Sequence, residues 1–229
     1  MSIRTDWPKH AAASGTHEKV LSLAAELARG KPGLAACDIP CGAGAFSHAL
    51  SALGVAVTAV DIAPADNFVF DPARRILHDC NRGLPFPDGS LDLVISIEGI
   101  EHLENPTQFL RECARVARPG ATIILTTPNV DSFRSRKYVF LRGYHRYFGP
   151  GRDGEKDSGH MLPVDAMFVT HAASRIGLRL REITTNKIAG KSLVKELLRK
   201  KLQSWMPEPL RTESLFYGEV AIYVFSKPD

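Results

Sequence analysis

The sequence lacks any long apolar run. No stretch approaches the roughly 18 consecutive apolar residues that a membrane-crossing helix needs, and residues 1–20 contain no apolar core of the secretory-signal type. Nor is any internal repeat or low-complexity segment visible. We therefore expect a cytoplasmic protein without a transmembrane helix.

Cysteine and net charge are also scarce. The four cysteines, Cys37, Cys41, Cys80 and Cys113, form no C-x-x-C pair and have no histidine-rich zinc spacing. They are predicted to be buried, reduced thiols. The 29 basic and 25 acidic residues leave a formal net charge of only +4, which argues against nucleic acid as the main partner.

What the sequence does contain is an alternation of short apolar runs with helical patterns over residues 1–229, read as a single domain. Such an alternation predicts a parallel sheet covered by helices on both faces. Helices are expected at 16–29, 45–54, 105–120 (from Pro106 to Pro119-Gly120) and 163–177. Strands are expected at 33–40, 55–63, 74–80, 91–97, 121–128, 178–185 and 219–226.

A glycine-rich turn joins the first strand to its helix. Its frame GAGAFS has Ser47 where a dinucleotide fingerprint has a third glycine, so the match to that fingerprint is partial. Asp61 ends the second strand, where a carboxylate can accept both hydroxyls of a ribose. Asp38 precedes the turn and would repel a pyrophosphate but attract a cationic ligand. Asp79 follows the third strand, in a position to accept from the amine of adenine.

Four segments in order, DIPCGAG, VTAVDI, HDCNRGLPFPDGSLDLVISIEGIEHL and ARVARPGATIILTTPN, resemble the class I S-adenosylmethionine-dependent methyltransferases. Within them the resemblance is to the branch that includes ubiquinone-biosynthesis O-methyltransferases, and it covers residues 34–128. It implies an α/β fold with a Rossmann-like sheet of seven strands, helices on both faces and an inserted substrate lid.

The same resemblance implies that S-adenosyl-L-methionine is the cofactor. Glycines 42 and 44 would approach its methionine part, Asp38 would orient its amino group, and Asp61 would hold the ribose. The full implied cofactor set is Asp38, Pro40, Cys41, Gly42, Gly44, Asp61, Ile62, Asp79, Cys80, Asn81, Ile97 and Glu98.

An E-x-x-E-H run follows the fourth strand, and Glu98, Glu101 and His102 are the candidate catalytic residues. If this segment is helical, all three side chains share one face. Three interpretations stay open. In the first, the run binds Mg²⁺ or Mn²⁺, as a similar run does in small-RNA 2′-O-methyltransferases, and His160 or His145 completes the site. In the second, His102 is a metal-free general base. In the third, the residues have a structural role only.

Residues 129–163 are expected to form the substrate lid. They hold seven basic residues, four acids and six aromatics. Arginines beside aromatic rings suit a sugar that carries phosphate or carboxylate. The segment loosely resembles one found in methyltransferases of bacterial surface-polysaccharide and glycolipid assembly. The alternative is a lid whose aromatics only pack on the core.

A basic amphipathic helix is expected within the second insertion, residues 186–218. An apolar stripe recurs at helical spacing in 187–206: Leu193, Val194, Leu197, Leu198, Leu202 and Trp205. Around it lie six basic residues and a single acid, Glu196. This pattern is typical of a membrane-surface segment, and the alternatives are packing on its own domain or on a second copy in a homo-oligomer.

The sequence thus predicts an S-adenosylmethionine-dependent O-methyltransferase that acts on a polar metabolite or a sugar or glycan intermediate. One alternative is a quinone-type phenolic O-methyltransferase. Another is a non-catalytic partner that binds the S-adenosyl ligand within an assembly complex.

Overall fold

The structure is a computed structural model that describes residues 12–149, 159–188 and 193–229. Seven strands form one sheet in the order β3-β2-β1-β4-β5-β7-β6. The strands are β1 (Ala35–Asp38), β2 (Ala56–Asp61), β3 (Arg75–Leu77), β4 (Leu91–Ile97), β5 (Ala117–Pro128), β6 (Arg179–Thr185) and β7 (Val220–Ser226).

Helices cover both faces of the sheet. They are α1 (Thr16–Ala28), α2 (Ala45–Ser51), α3 (Pro106–Val116), α4 (Phe133–Arg142), α5 (Ala166–Arg175), α6 (Leu193–Gln203) and α7 (Glu213–Tyr217). Buried side chains of α1 and α2 join one apolar cluster, and those of α3 and α5 join the other. Across the described residues, every helix is too short or too polar to cross a membrane.

The interior strand β5 shows why two cores can share one sheet. Ile123 and Leu125 contribute to the cluster under α3 and α5, whereas Ile124 contributes to the cluster under α1 and α2. Successive side chains of a strand point to opposite faces, so a continuous apolar run fills both cores. The layered α/β architecture predicted from the sequence is confirmed.

The sequence pattern predicts a parallel sheet, and this prediction is wrong for one strand. Strand β7 lies between β5 and β6 and runs antiparallel to both. An antiparallel neighbour needs no crossover helix on the opposite face. The long 186–218 segment therefore returns the chain beside β6 and leaves its own helices at the edge of the domain.

The predicted end of α3 at Pro119-Gly120 is wrong. The helix stops at Val116, and Ala117 already pairs with Leu91 of β4. The Lys227 side chain donates to the carbonyl oxygens of Ala114 and Ala117, both at 2.9 Å. These bonds satisfy carbonyls at the helix end, and the chain enters β5 with proline and glycine inside the strand.

All four cysteine thiols are free; three of them are buried and Cys80 is half-buried.

The two insertions each contain a helix that was not predicted. Helix α4 lies in the predicted lid, and α7 follows α6. Phe133 of α4 stacks on Phe216 of α7 with ring centroids 5.5 Å apart, which joins the two insertions. Residues 150–158 of the lid, including Arg152 and Lys156, lie outside the described residues.

Asn129 anchors this junction at the end of β5. Its side-chain amide is buried and donates to the carbonyl oxygens of Ser214, Leu215 and Gly218 at 3.0–3.2 Å. Its own Oδ1 accepts from the backbone N–H of Asp131 at 3.1 Å. A single side chain thus supplies donors to the turn between α7 and β7, where the Ser214 carbonyl also accepts from the Gly218 N–H at 2.8 Å.

Asn129→Ala should lower the free energy of unfolding by about 3 kcal/mol, because several buried carbonyls lose their donor. Urea unfolding measures the change. The control is Asn105→Ala, which removes an exposed helix cap whose Oδ1 accepts from Gln108 N–H and should cost about 1 kcal/mol. Equal losses in the two variants would contradict the anchoring role.

Candidate functional site

The site lies where the strand order reverses, between β1 and β4, beyond the carboxyl ends of the strands. Two cavities adjoin there, sharing Pro40, Asp61 and His102. We name the first, of about 410 Å³, the loop cavity; its lining includes Asp38, Pro40, Cys41, Gly42, Asp61, Ile97, Glu98, His102 and His160. The second, of about 320 Å³, is the apolar cavity; its lining includes Ile62, Asp79, Cys80, Asn81, Leu103 and Phe109.

The two glycines of the turn have different structural roles. Gly42 has φ 51° and no heavy atom within 4 Å of where a Cβ would stand, so its backbone faces the loop cavity. Its N–H donates to Asp61 Oδ2 at 2.8 Å, which ties the turn to β2. Gly44 has φ 77°, and a Cβ there would lie 2.6 Å from the Phe68 ring. Gly44 therefore serves close packing behind the loop and does not line either cavity.

Asp38 lies at the floor of the loop cavity. It is only 1% exposed, and Ser47 Oγ donates to its Oδ2 at 2.6 Å. Burial raises the pKa of the Asp38 carboxyl to about 7, against the hydrogen bond from Ser47, which lowers it. Ser47 occupies the third glycine position of a dinucleotide fingerprint, so its hydroxyl supports an acid that a pyrophosphate would not tolerate.

The apolar cavity contains the remaining expected cofactor residues. Asp79 Oδ1 accepts from Asn81 N–H at 3.0 Å and starts a short 3-10 helix, Cys80–Arg82. Asn81 Oδ1 accepts from Glu104 N–H at 3.0 Å. Ile62 is 67% exposed, so its side chain is available to cover a flat ligand. A mostly apolar slot with polar groups at one edge suits a purine ring.

The segment after β4 is not the helix that the E-x-x-E-H spacing suggested. Glu98 has a left-handed φ of 47° and only Ile100–His102 are helical, as one 3-10 turn. A Cβ at Gly99 would collide with Pro40 and lie 2.8 Å from Ser96 Oγ. The chain therefore turns sharply, and Glu98 faces the loop cavity apart from Glu101. Burial raises the pKa of Glu98 above its usual value.

A different trio comes together instead. Glu101, His102 and His160 each offer a ligand atom, and the three atoms lie within 4.8 Å of one another. Glu101 is fully buried, and neither of its carboxylate oxygens has a hydrogen-bond partner among the described residues. Burial raises the pKa of this carboxyl to about 8. Such a carboxyl is stabilised by a proton or by a cation.

Hydrogen bonds orient both imidazoles of this trio. His102 Nδ1 lies 2.9 Å from the carbonyl oxygen of Gly159, and His160 Nδ1 lies 2.8 Å from that of Tyr147. A carbonyl only accepts, so each Nδ1 donates, and the lone pair of each neutral ring is on Nε2. This arrangement is typical of metal-binding and proton-accepting histidines. His145 is elsewhere, with Nδ1 3.1 Å from Ser135 Oγ.

A third cavity, of about 640 Å³, lies between α4, α7 and the start of β7. We name it the basic cavity; its lining includes Phe133, Arg134, Lys137, Arg146, Tyr147, Lys187, Phe216, Tyr217 and Glu219. Lys187 and Glu219 were not predicted as site residues, because they lie outside the lid segment. His17, which lines the loop cavity and stacks on Phe46 at 5.6 Å, was also missed, since no motif surrounds it.

The charge of the basic cavity is mostly uncompensated. Four cationic side chains face one acid, Glu219, whose carboxylate binds Lys187 at 2.7 Å and Arg146 at 3.6 Å. Burial opposes its charge, but hydrogen bonds from Lys187 and Tyr147 hold the pKa of Glu219 below its usual value. Arg146 Nη1 is buried with no hydrogen-bond partner in the described parts of the chain. The cavity is thus suited to an anion.

His160, which lines the loop cavity, is linked to a residue of the basic cavity. Its ring lies 5.2 Å from Phe148, its Nδ1 contacts the Tyr147 carbonyl, and Tyr147 lines the basic cavity. On the other side, Met161 N–H donates to the carbonyl oxygen of Glu101 at 2.9 Å. One hydrogen bond therefore connects the imidazole pair, in the lining of the loop cavity, to Tyr147 in the lining of the basic cavity.

Comparison with known proteins agrees with this geometry. The family model described as "Methyltransferase domain" matches residues 37–125. A Mycolicibacterium smegmatis protein named "Probable S-adenosylmethionine-dependent methyltransferase" is 32% identical over 111 residues, which are 48% of this chain and 37% of that protein. A ubiquinone biosynthesis O-methyltransferase of Xanthomonas campestris is 33% identical over 109 residues, 43% of this chain and 44% of that protein.

Solved structures agree on the fold. A SAM-dependent methyltransferase from Archaeoglobus fulgidus superimposes with a TM-score of 0.59 at 19% identity, covering 93% of this chain and 95% of that one. The matched region spans less than half the length of the curated relatives. Residues 37–125 thus match a methyltransferase domain, and the seven-stranded sheet has the Rossmann-like fold of the class I S-adenosylmethionine-dependent methyltransferases.

Proposed function

We propose that the chain transfers a methyl group from S-adenosylmethionine to a hydroxyl oxygen of an anionic sugar or glycan intermediate. The observation that carries this proposal is a pair of cavities of opposite electrostatic character, linked by the hydrogen bond from His160 in the lining of one to Tyr147 in the lining of the other. The loop cavity holds buried carboxyls that suit a cationic ligand. The basic cavity holds four cations and aromatic rings that suit an anionic ring compound.

The cofactor residues fit the S-adenosyl group. Asp38 is a buried acid that accepts one hydrogen bond, from Ser47. The backbone of Gly42 is open to the loop cavity, and Asp61 lines both the loop and the apolar cavity. When bound, S-adenosylmethionine supplies a methyl group on a sulfonium centre. Asp38 would attract its ammonium group, Asp61 would accept from the ribose hydroxyls, and the apolar cavity would hold the adenine.

His102 and His160 would handle the proton of the acceptor hydroxyl. Each ring donates through Nδ1 to a carbonyl, so Nε2 is the basic atom. An acceptor bound in the basic cavity would approach this pair from the side of Tyr147. Alignment of the oxygen and removal of its proton are the protein's main contributions to such a displacement.

Glu101, His102 and His160 also fit a divalent cation, because both buried oxygens of Glu101 lack a hydrogen-bond partner among the described residues. Two imidazoles and one carboxylate favour Mn²⁺ over Mg²⁺, which prefers all-oxygen ligands. The cation would act as a Lewis acid toward the acceptor oxygen. Glu98 lies outside this trio.

A quinone-type phenolic acceptor is the second candidate. The Xanthomonas campestris relative named for ubiquinone biosynthesis and the rings of Phe133, Phe216 and Tyr217 favour it. A phenol without an anionic group would, however, leave Arg146 Nη1 buried and unpaired. The third hypothesis, a non-catalytic partner that only binds the cofactor, predicts no turnover with any acceptor.

The pH dependence of cofactor affinity tests the role of Asp38. Because the pKa of this acid is about 7, its charged fraction falls about tenfold from pH 8 to pH 6. The affinity for S-adenosylhomocysteine, which keeps the ammonium group, should fall by a similar factor over that range. Calorimetry on Asp38→Asn should show weaker binding and no such slope.

Asp61→Asn is the contrasting variant. It should lower the affinity for S-adenosylhomocysteine about 10- to 100-fold relative to wild type at both pH values. Thermal unfolding without ligand independently checks the direction of the Asp38 pKa shift. An acid whose folded pKa is raised costs stability once pH exceeds the unfolded value, so Asp38→Asn should unfold at a higher temperature than wild type at pH 8 but not at pH 4. An unchanged slope in Asp38→Asn would refute its role.

The cation site is tested by binding rather than by turnover. Calorimetry and electron paramagnetic resonance should detect Mn²⁺ binding that His160→Ala reduces at least about tenfold. His145→Ala is the matched control, because this histidine lies in the same insertion but outside the trio, and it should bind Mn²⁺ like wild type. Equal binding by both variants, or turnover that survives a chelator, would instead favour His102 as a metal-free base.

The acceptor class is tested with labelled S-adenosylmethionine against nucleoside-diphosphate sugars, neutral glycosides and catechols. We expect the anionic sugars to be methylated, and Arg146→Met to raise KM for them about 10- to 100-fold with little change in kcat. The control Arg142→Met removes an exposed arginine of α4 that does not line the cavity. Preference for a catechol, unaffected by Arg146→Met, would overturn the anionic acceptor.

A further inference from the structure

Helix α6 is attached to the domain by its polar edge. Gln203 is buried, and its Nε2 donates to the Thr212 carbonyl at 2.9 Å. Arg199 Nη1 donates to Gln203 Oε1 at 3.0 Å, and Arg199 Nε donates to Glu196 Oε2 at 2.9 Å. Tyr217 of α7 donates to the same oxygen at 3.2 Å. Residues 196, 199 and 203 share one side of the helix, so this side is turned inward.

The opposite side of α6 is apolar and exposed. Five large side chains protrude there: Leu193 is 87% exposed, Val194 76%, Leu197 70%, Leu202 46% and Trp205 91%. A helix on the surface of a soluble domain normally turns its apolar side to the core. The reversed orientation of α6 presents a contiguous apolar surface, which indicates an interaction site. We name these five residues the α6 stripe.

The charges around the α6 stripe favour one class of occupant. Lys200 and Lys201 are exposed beside it. Residues 187–206 contain six basic residues, of which Arg199 lies on the inward side and Lys187 binds Glu219; their only acid, Glu196, is already bound by Arg199 and Tyr217. A second copy docking through the same helix would place these lysines against their equivalents. An anionic lipid surface supplies the opposite charge, and the indole of Trp205 suits the interface between lipid headgroups and acyl chains.

We propose that the α6 stripe docks on the surface of an anionic bilayer. The helix is about 16 Å long, so it would lie along the surface without crossing it. Tyr217, which contacts Glu196, also lines the basic cavity, so docking would bring that cavity close to the headgroups. The delivery of a lipid-linked acceptor to this cavity rests on the proposed function, whereas docking itself does not.

Cosedimentation with vesicles tests the docking without any methyl transfer. The full chain should pellet at low salt with vesicles of phosphatidylcholine and phosphatidylglycerol in a two-to-one ratio, and high salt should release it. Each basic side chain near an anionic leaflet contributes roughly a fivefold gain in affinity. Lys200→Glu with Lys201→Glu should therefore weaken binding at least about 25-fold, and Leu197→Gln should weaken it through lost apolar burial.

Two matched controls share the chemistry but not the location. Arg175→Glu with Arg179→Glu reverses two exposed charges at the end of α5 and the start of β6, and Leu77→Gln removes an exposed leucine at the opposite edge of the sheet. Both should pellet like wild type. The proposal is overturned if wild type stays in the supernatant or if the controls lose binding equally. It is also overturned if the chain is a dimer in solution that Leu197→Gln dissociates, because the stripe would then cover a second copy.

Discussion

The close approach of Gly99 to Pro40 is the constraint on which the site depends. These two residues lie at the carboxyl ends of β4 and β1, and no Cβ fits between them. Because the two turns are in contact, Pro40 forms a wall common to the loop and apolar cavities. Next to this contact Glu98 has a left-handed φ of 47°, and its side chain lines the loop cavity. The contact thus lies at the boundary of the two cavities and beside one of the acids that line them.

Electrostatic sorting follows from that geometry. The pKa values of Asp38, Glu98 and Glu101 are all raised by burial, so each is costly to charge until a cation arrives. Across the imidazole pair, the basic cavity is costly to fill with anything but an anion, because Arg146 Nη1 has no partner in the described residues. Under the proposed function, the charge of the two ligands would distinguish them, because each cavity contains or adjoins a buried charged or titratable atom without a hydrogen-bond partner in the described residues.

Most residues that the sequence assigned to the cofactor line the loop and apolar cavities, and there is a physical reason why these were easier to predict than the lining of the basic cavity. Its signals are local: a glycine that must face open space, an acid at a strand end, and an apolar run of strand length. The E-x-x-E-H spacing wrongly suggested an α-helix after β4. Gly99 packs against Pro40 there, and the segment forms only a single 3-10 turn. Lys187 and Glu219 escaped notice since they reach the basic cavity only through the antiparallel pairing of β7, which is a tertiary property.

Helix α6 marks the limit of sequence reasoning in another way. Of the six residues that periodicity assigned to the apolar stripe, five are exposed and Leu198 is half-buried. Periodicity cannot say which side of a helix faces the domain. That choice is made by the partners available on the domain, here the Thr212 carbonyl and the Tyr217 hydroxyl, which pair with polar side chains. Since burying unpaired polar groups costs more than leaving leucines exposed, the polar edge turns inward. The apolar side is then left exposed to solvent, and the exposed lysines beside it are the reason why we propose a negatively charged surface as its occupant.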